Sequence, residues 1–347
     1  MLQPSHIVAI SARTALGLAP EPSAAAVRAG ISRVEEHPYF IDATGQPLRG
    51  AYDRRLDEQL PCLERMAALA EHALSQLVVR LPLLGELSAH LLLSLPEARP
   101  GFGLADEQQL ERRLAQVPGA LRFQSVRTVS RGHAGALEAL HVAAQLVSTS
   151  AERLCIVGGV ESWFEPRTLA WLSRNGQLMC SDARSAFLPG EAACFAMVAS
   201  QAARREHRLP SLAVIRGTGV TTEQAQIKTD RDNLGIGLSE AVRQACHALG
   251  PSDRVHEIYC DINGERYRAE EWGLAILRTG QWFRDPARYV APAGQWGDIG
   301  AATGTALAML AIAAWQRGYA RGPLAMLFAG SEAGRRGAVV LERGAEQ

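Results

Sequence analysis

Thiols are the first side chains to weigh, because cysteine serves as nucleophile, metal ligand or cross-link according to its neighbours. The chain carries Cys62, Cys155, Cys180, Cys194, Cys246 and Cys260, scattered and with no C-x-x-C pair. Several sit inside apolar runs, as in LCIV and ACFA. That pattern predicts buried free thiols in a reducing compartment, not disulfides or a zinc site. No Walker loop, no G-x-G-x-x-G following a strand and no His/Cys group with metal spacing occurs, so neither a nucleotide cofactor nor a metal is expected. His141 lies within an apolar helical pattern and reads as a satisfied core histidine. The stretch DINGERYRAEEWG, residues 261–273, is dense in charge: Glu265, Arg266, Arg268, Glu270 and Glu271 alternate with Tyr267 and Trp272. Either it lines a binding surface, or its ions pair with one another at the surface, where such pairs contribute little. Trp163 and Phe164 follow a Gly-Gly-Val-Glu-Ser turn and read first as core packing.

These residues need a scaffold, and the periodicity supplies one. Short apolar, β-branched runs at residues 7–10, 90–95, 154–157 and 194–198 are ended by Gly, Pro or polar residues, as buried strands are. Residues 62–79 place Leu63, Met66, Leu69, Ala70 and Leu74 on one helical face, and residues 137–147 repeat the pattern. After about Ala202 the order restarts. Strand-like runs at 212–217, 257–262, 289–291, 324–328 and 338–341 surround helical patterns at 238–249 and 301–315. The alternation predicts an α/β sheet with helical crossovers. It also predicts two similar halves, residues 1–202 and 203–347, joined at AARREHRLP (202–210) in one body.

The 347 residues are 47% apolar and 21% charged, with 36 basic and 36 acidic side chains. This balance gives no bulk electrostatic drive toward nucleic acid or anionic membrane. Lys228 is the only lysine, and the arginine bias by itself argues for no anion site. No apolar run reaches the ~20 residues of a membrane span. The N-terminus lacks a signal-peptide pattern, so a cytoplasmic location is expected.

Four stretches together resemble β-ketoacyl synthases of the thiolase superfamily. IVAISARTALGL is similar to the family's first strand and turn. TVSRGHAGALEALHVAAQLVSTSAERLCIVGGVES, residues 128–162, resembles its nucleophile turn, buried helix and following strand. AFLPGEAACFAMV, residues 186–198, resembles the Gly-Phe-x-x-Gly-Glu-Gly-Ala segment. WGDIGAATGTALAML, residues 296–310, resembles the Ile-Gly-His-x-x-Gly-Ala-Ala-Gly helix start. The resemblance implies a duplicated, five-layered αβαβα fold, a homodimer or a heterodimer with a related subunit, and chemistry on acyl thioesters. In that family a cysteine at a helix N-terminus carries the acyl chain, and two histidines promote decarboxylation and condensation.

Matched to this sequence, the nucleophile position falls on His133, the first histidine on Asp261 or Asn263, and the second on Asp298. The Phe of the family's Gly-Phe-Gly-Gly loop becomes Glu332 in SEAG. Two readings follow. In one, the condensing site is lost and the chain acts as partner subunit or adaptor, as the cysteine-less chain-length-factor subunits of polyketide synthases do. Its associates would be an active synthase subunit, an acyl carrier protein, or components of a secretion machine. In the other, the chain is an active acyltransferase or acyl hydrolase, with His133 neutral under the helix dipole and oriented as a base by Asp298 or Asp261.

Overall fold

The computed structural model describes residues 4–81, 87–117, 121–149, 154–226 and 231–345. Lys228 and residues 150–153 of the second motif lie outside the described residues. The first half runs β1 (Ser5–Thr14), α1 (Pro20–Arg28), a ribbon of β2 (Glu35–Ile41) and β3 (Pro47–Gly50), α2 (Cys62–Val79), β4 (Leu87–Leu95), α3 (Leu104–Leu114), β5 (Leu121–Ser130), α4 (Gly135–Thr149), β6 (Leu154–Ser162), α5 (Pro166–Arg174), β7 (Glu191–Ser200) and α6 (Gln201–Glu206). It continues with β8 (Ala213–Thr222), α7 (Ile236–Cys246), β9 (Glu257–Cys260), α8 (Arg266–Thr279), α9 (Ala293–Trp296), α10 (Thr303–Gln316), β10 (Leu324–Gly330) and β11 (Arg335–Arg343).

The nine strands of the main sheet lie in the order β5-β4-β6-β7-β1-β8-β11-β10-β9. Two sheets meet in it. β1 pairs with β7 along its length but touches β8 only where Ser5, His6 and Ile7 face Ile215, Val214 and Ala213. In the first sheet the order is third, second, fourth, fifth, first strand of its half. The second repeats second, fourth, fifth and first, with the same parallel and antiparallel pairings. The predicted strand at 289–291 is not one: it contributes a single bridge, Tyr259 to Val290, on the free side of β9 where the third strand would stand. Three residues between a charged loop and Pro292 are too few to extend the ladder.

Helices α4 and α10 contact strands of both sheets and form the middle layer. α2 covers the outer face of the first sheet and α7 that of the second. The expected five layers are therefore present. α2 begins and ends where its periodicity predicts, and Met66, Leu69, Ala70 and Leu74 are fully buried. Each larger side chain of that stripe contributes about 1.5–3 kcal/mol by leaving water. α10 has no polar face: its residues from Thr303 to Ile312 are all buried, as an element enclosed between two sheets requires. Cys155, Cys194, Cys246 and Cys260 are buried free thiols, while Cys62 and Cys180 are partly exposed.

Candidate functional site

β5 ends at Ser130, and the chain passes through Arg131 into a short 3-10 turn, Gly132–Ala134, that opens α4. Gly132 takes φ +55°, the left-handed region, and lets the chain turn into the helix beside Glu97. His133 thus stands at the N-terminus of the buried helix, only 6% exposed. Ala134 donates its N–H to Ser331 Oγ at 2.9 Å, and that hydroxyl in turn donates to the carbonyl of Arg131. Ser331 therefore satisfies a backbone donor at the helix N-terminus that has no partner within the helix.

Opposite His133, Gly297 at φ +73° leads into Asp298, whose N–H donates to Leu188 O at 2.7 Å. The Asp298 carboxylate takes four donors. His133 Nε2 lies 2.9 and 2.8 Å from its two oxygens, Trp163 Nε1 donates at 3.2 Å, Asn263 Nδ2 at 2.6 Å and Gly300 N at 2.8 Å. Gly300, at φ +41°, allows this turn; a Cβ there would lie 2.1 Å from Glu161 Oε2. Behind the pair, Arg268 Nη2 approaches His133 Nε2 at 3.5 Å. Its other nitrogens hold Asp261 at 2.5 Å, Gly330 O at 2.7 Å and Glu265 at 3.1 Å.

The structure thus brings His133, Asn263 and Asp298 into direct contact and places Asp261 one guanidinium away. The surface-pair account of residues 261–273 does not hold. Asp261, Glu265, Arg268 and Glu271 are buried, and only the Arg266–Glu270 pair is exposed. The segment runs from the end of β9 into α8, and its buried charges face one another and β10. Trp163 is likewise more than packing: its indole N–H binds Asp298, and Arg99 lies 3.9 Å above its ring. Phe164 packs with His37 and Tyr52. His141, half-buried, hydrogen-bonds Thr218 at 2.7 Å away from this site.

Protonation follows from the geometry. Burial opposes a charged His133, but the Asp298 carboxylate outweighs it, and the imidazole is held above its ordinary value. The expectation of a lowered, neutral imidazole is therefore overturned. The helix end contributes a partial charge, whereas the carboxylate is a full one at hydrogen-bond distance. Burial would raise Asp298, yet His133, Arg268 and Asn263 bring it well below the usual carboxylate range. The buried Arg268 is held above its already high value by Tyr267 and its carboxylates, against burial.

His133 forms part of the wall of a cavity of about 300 Å3, with Glu97, Arg99, Glu161, Trp163 and Glu332. Sequence reasoning missed Glu97, Arg99, Glu161 and Ser331 as site residues; Glu161 lay in the GGVES turn and Ser331 in SEAG, and those motifs carried the only signal. Arg99 is tied to Glu161 at 2.6 Å. Burial raises Glu97. Glu332 accepts from Gln177. Among the described residues lining this cavity there is no cysteine.

No family model and no curated protein matches the sequence. Solved structures do match the fold. A structure of the ishigamide ketosynthase/chain length factor is 14% identical, with TM-score 0.81, covering 99% of this chain and 100% of that one. A type II polyketide synthase acyl-carrier protein in complex with its ketosynthase bound to the hexaketide gives 12% identity and TM-score 0.80, over 99% and 100%. The ketosynthase from module 6 of the bacillaene synthase from Bacillus subtilis 168 gives 11% and 0.78, over 99% of this chain and 72% of that one. The chain has the thiolase fold of these ketosynthases. Among the described residues, no helix is long and apolar enough to cross a membrane.

Proposed function

We propose that this chain is a non-condensing ketosynthase-like subunit that acts through a partner. The observation that carries the reading is the occupation of the nucleophile position. His133 is clamped by both oxygens of Asp298 at 2.8–2.9 Å, in a network whose donors are already used. A thioester intermediate needs a thiolate or equivalent nucleophile beside free oxyanion donors. Here no cysteine is among the described cavity residues, and the Ala134 N–H is held by Ser331. The test is incubation of the purified protein with acyl and malonyl thioesters, read by intact mass and by CO2 release. No acyl adduct and no decarboxylation above buffer are expected; an adduct on this chain overturns the reading.

One observation favours the rival, an acyl hydrolase: a cavity with His133 on its wall and a carboxylate in reach. A general base must be unprotonated at working pH, and His133 is shifted the other way. As an imidazolium it would donate a proton or bind an anion, not activate water. The non-condensing reading therefore has the stronger support.

A partner would be met at β5. Among the described residues this strand stands at the sheet edge, paired with β4 alone, and Gln124 falls in a bulge of that pairing. An unpaired edge of this length is a template for another strand. A second copy, or a related subunit, adding its own edge there would give the dimer. The ketosynthase/chain length factor and acyl-carrier-protein neighbours make a related subunit and a carrier protein the associates to seek first. Affinity capture from the native host at native expression, with mass spectrometry, is expected to recover one of them; recovery of secretion components alone would make the fold a scaffold and end the acyl-chain reading.

A further inference from the structure

The end of α10 remote from Asp298 holds a second site. A cavity of about 630 Å3 lies between α1, β1 and the last turns of α10. It exists because β1 leaves β8 after Ile7, so the strand from Val8 onward is covered by helices instead of a neighbouring strand. Its floor is apolar: Val8, Ile10, Ala24, Met309 and Ile312 are each at most 5% exposed. A smaller cavity of about 200 Å3 adjoins it, and Arg28 and Tyr319 line both, so they stand at the junction.

The rim is strongly cationic. Across the two cavities five arginines face two glutamates. Arg80 is paired with Glu21 at 2.7 Å and Arg321 with Glu257 at 3.9 Å. Arg28 and Arg288 form no salt bridge among the described residues, and Arg317 is near enough to Glu21 only to act on its charge. Arg28 ends α1 and Arg317 caps α10, where the helix dipole favours a cation, but Arg288 belongs to no helix. Arg28 lies over the Tyr319 ring at 4.9 Å, which orients its guanidinium at the junction. An independent feature points the same way. Tyr259 is only 4% exposed and lines the smaller cavity, which places a phenol beside the arginines there.

We propose that this paired cavity binds a single-chain amphiphile with a phosphate head. The aliphatic chain fills the apolar cavity. The phosphate sits at the junction, accepting from the Arg28 and Arg288 guanidinium groups and the Tyr259 hydroxyl. A dianionic head with three terminal oxygens matches several separate donors better than a carboxylate with two. The site lies at the opposite end of α10 from His133, and the proposal does not depend on the reading of that centre.

The experiment is isothermal titration of the full chain with dodecyl phosphate below its micellar concentration, beside dodecanoate, inorganic phosphate and dodecyl maltoside. Dodecyl phosphate is expected to bind 1:1, dodecanoate more weakly, inorganic phosphate at least about a hundredfold more weakly for want of the chain, and the maltoside not at all. Arg28→Gln with Arg288→Gln, both exposed positions, is expected to weaken binding at least about tenfold, and Tyr259→Phe to weaken it several-fold. Hydrogen exchange should slow at residues 20–28 and 312–321 when ligand is bound. Absence of saturable binding, equal binding by the arginine variant, or inorganic phosphate matching dodecyl phosphate overturns the proposal. So does sedimentation with phosphatidate vesicles without binding of the soluble amphiphile.

Discussion

Replacing Asp298 by Asn tests whether the buried pair is ionic. The amide keeps an oxygen for Trp163 and Gly300, but its NH2 must face either His133 Nε2 or the Asn263 Nδ2 that donates at 2.6 Å, a donor set against a donor. It also removes the counter-charge of His133, with Arg268 3.5 Å away. Breaking one partner of a buried pair costs about 3–5 kcal/mol. At about 2 °C per kcal/mol for a chain this long, the melting temperature should fall by about 6–10 °C. The pH dependence is more diagnostic than the size. In the native protein His133 is raised above its unfolded value of about 6.5. Its contribution is full below that value and is lost as pH rises through the folded pKa. Asp298 is depressed, so its contribution is present above the unfolded value of about 3.9 and fades only as pH falls through its folded pKa. Native stability from this pair should therefore hold from about pH 4 to 6.5 and decline above. In Asp298→Asn, burial and Arg268 act on His133 without the carboxylate and depress it, so the variant should gain stability as pH rises to about 6.5. Urea unfolding followed by tryptophan fluorescence from pH 5 to 9 would show a gap that narrows with pH. Parallel curves over that range would refute the imidazolium–carboxylate pair and restore a neutral His133 as a candidate base.

Ser331→Ala leaves the Ala134 N–H without its acceptor in a buried position, and should cost about 1–3 kcal/mol in urea unfolding while creating no acyl-transfer activity in the mass assay. Gly300→Ala combines a left-handed φ of +41° with a Cβ 2.1 Å from Glu161 Oε2, so it should destabilise by more than about 2 kcal/mol or leave the protein insoluble on expression. Gln124→Pro, placed in the β5 bulge, should convert a dimer to a monomer by light scattering with little change in melting temperature; an unchanged mass would move the interface elsewhere.

The legible parts of the fold were those in which one physical requirement sets the sequence. α2 reads from 62 to 79 because half of it is buried and half is wet, and the structure ends it at the same residues. β6 and β7 are buried along their whole length and read as apolar runs. β5 was not read as a strand because an edge strand has no apolar requirement on its free side, and LRFQSVRTVS is accordingly mixed. Residues 261–273 were left between a binding surface and solvated ion pairs because pattern alone cannot tell a solvated charge from a buried one. Arg268 and Glu265 look like any helix-start ions until Asp261 and Gly330 are brought beside them by β9 and β10.

The centre was half legible for a related reason. Order along the chain and likeness of type were enough to pick His133, Asn263, Asp261 and Asp298, residues from three stretches of the chain that the fold assembles in one centre. The sign of the His133 shift was not legible, because it depends on a contact of under 3 Å that no one-dimensional pattern encodes. That contact is also the observation on which the proposed non-condensing reading rests. A site built for covalent acyl chemistry keeps donors and a nucleophile unpaired until substrate arrives. This one spends Asp298 on four donors and Ala134 on Ser331. Polar groups that satisfy one another rigidify the centre where α4 and α10 begin.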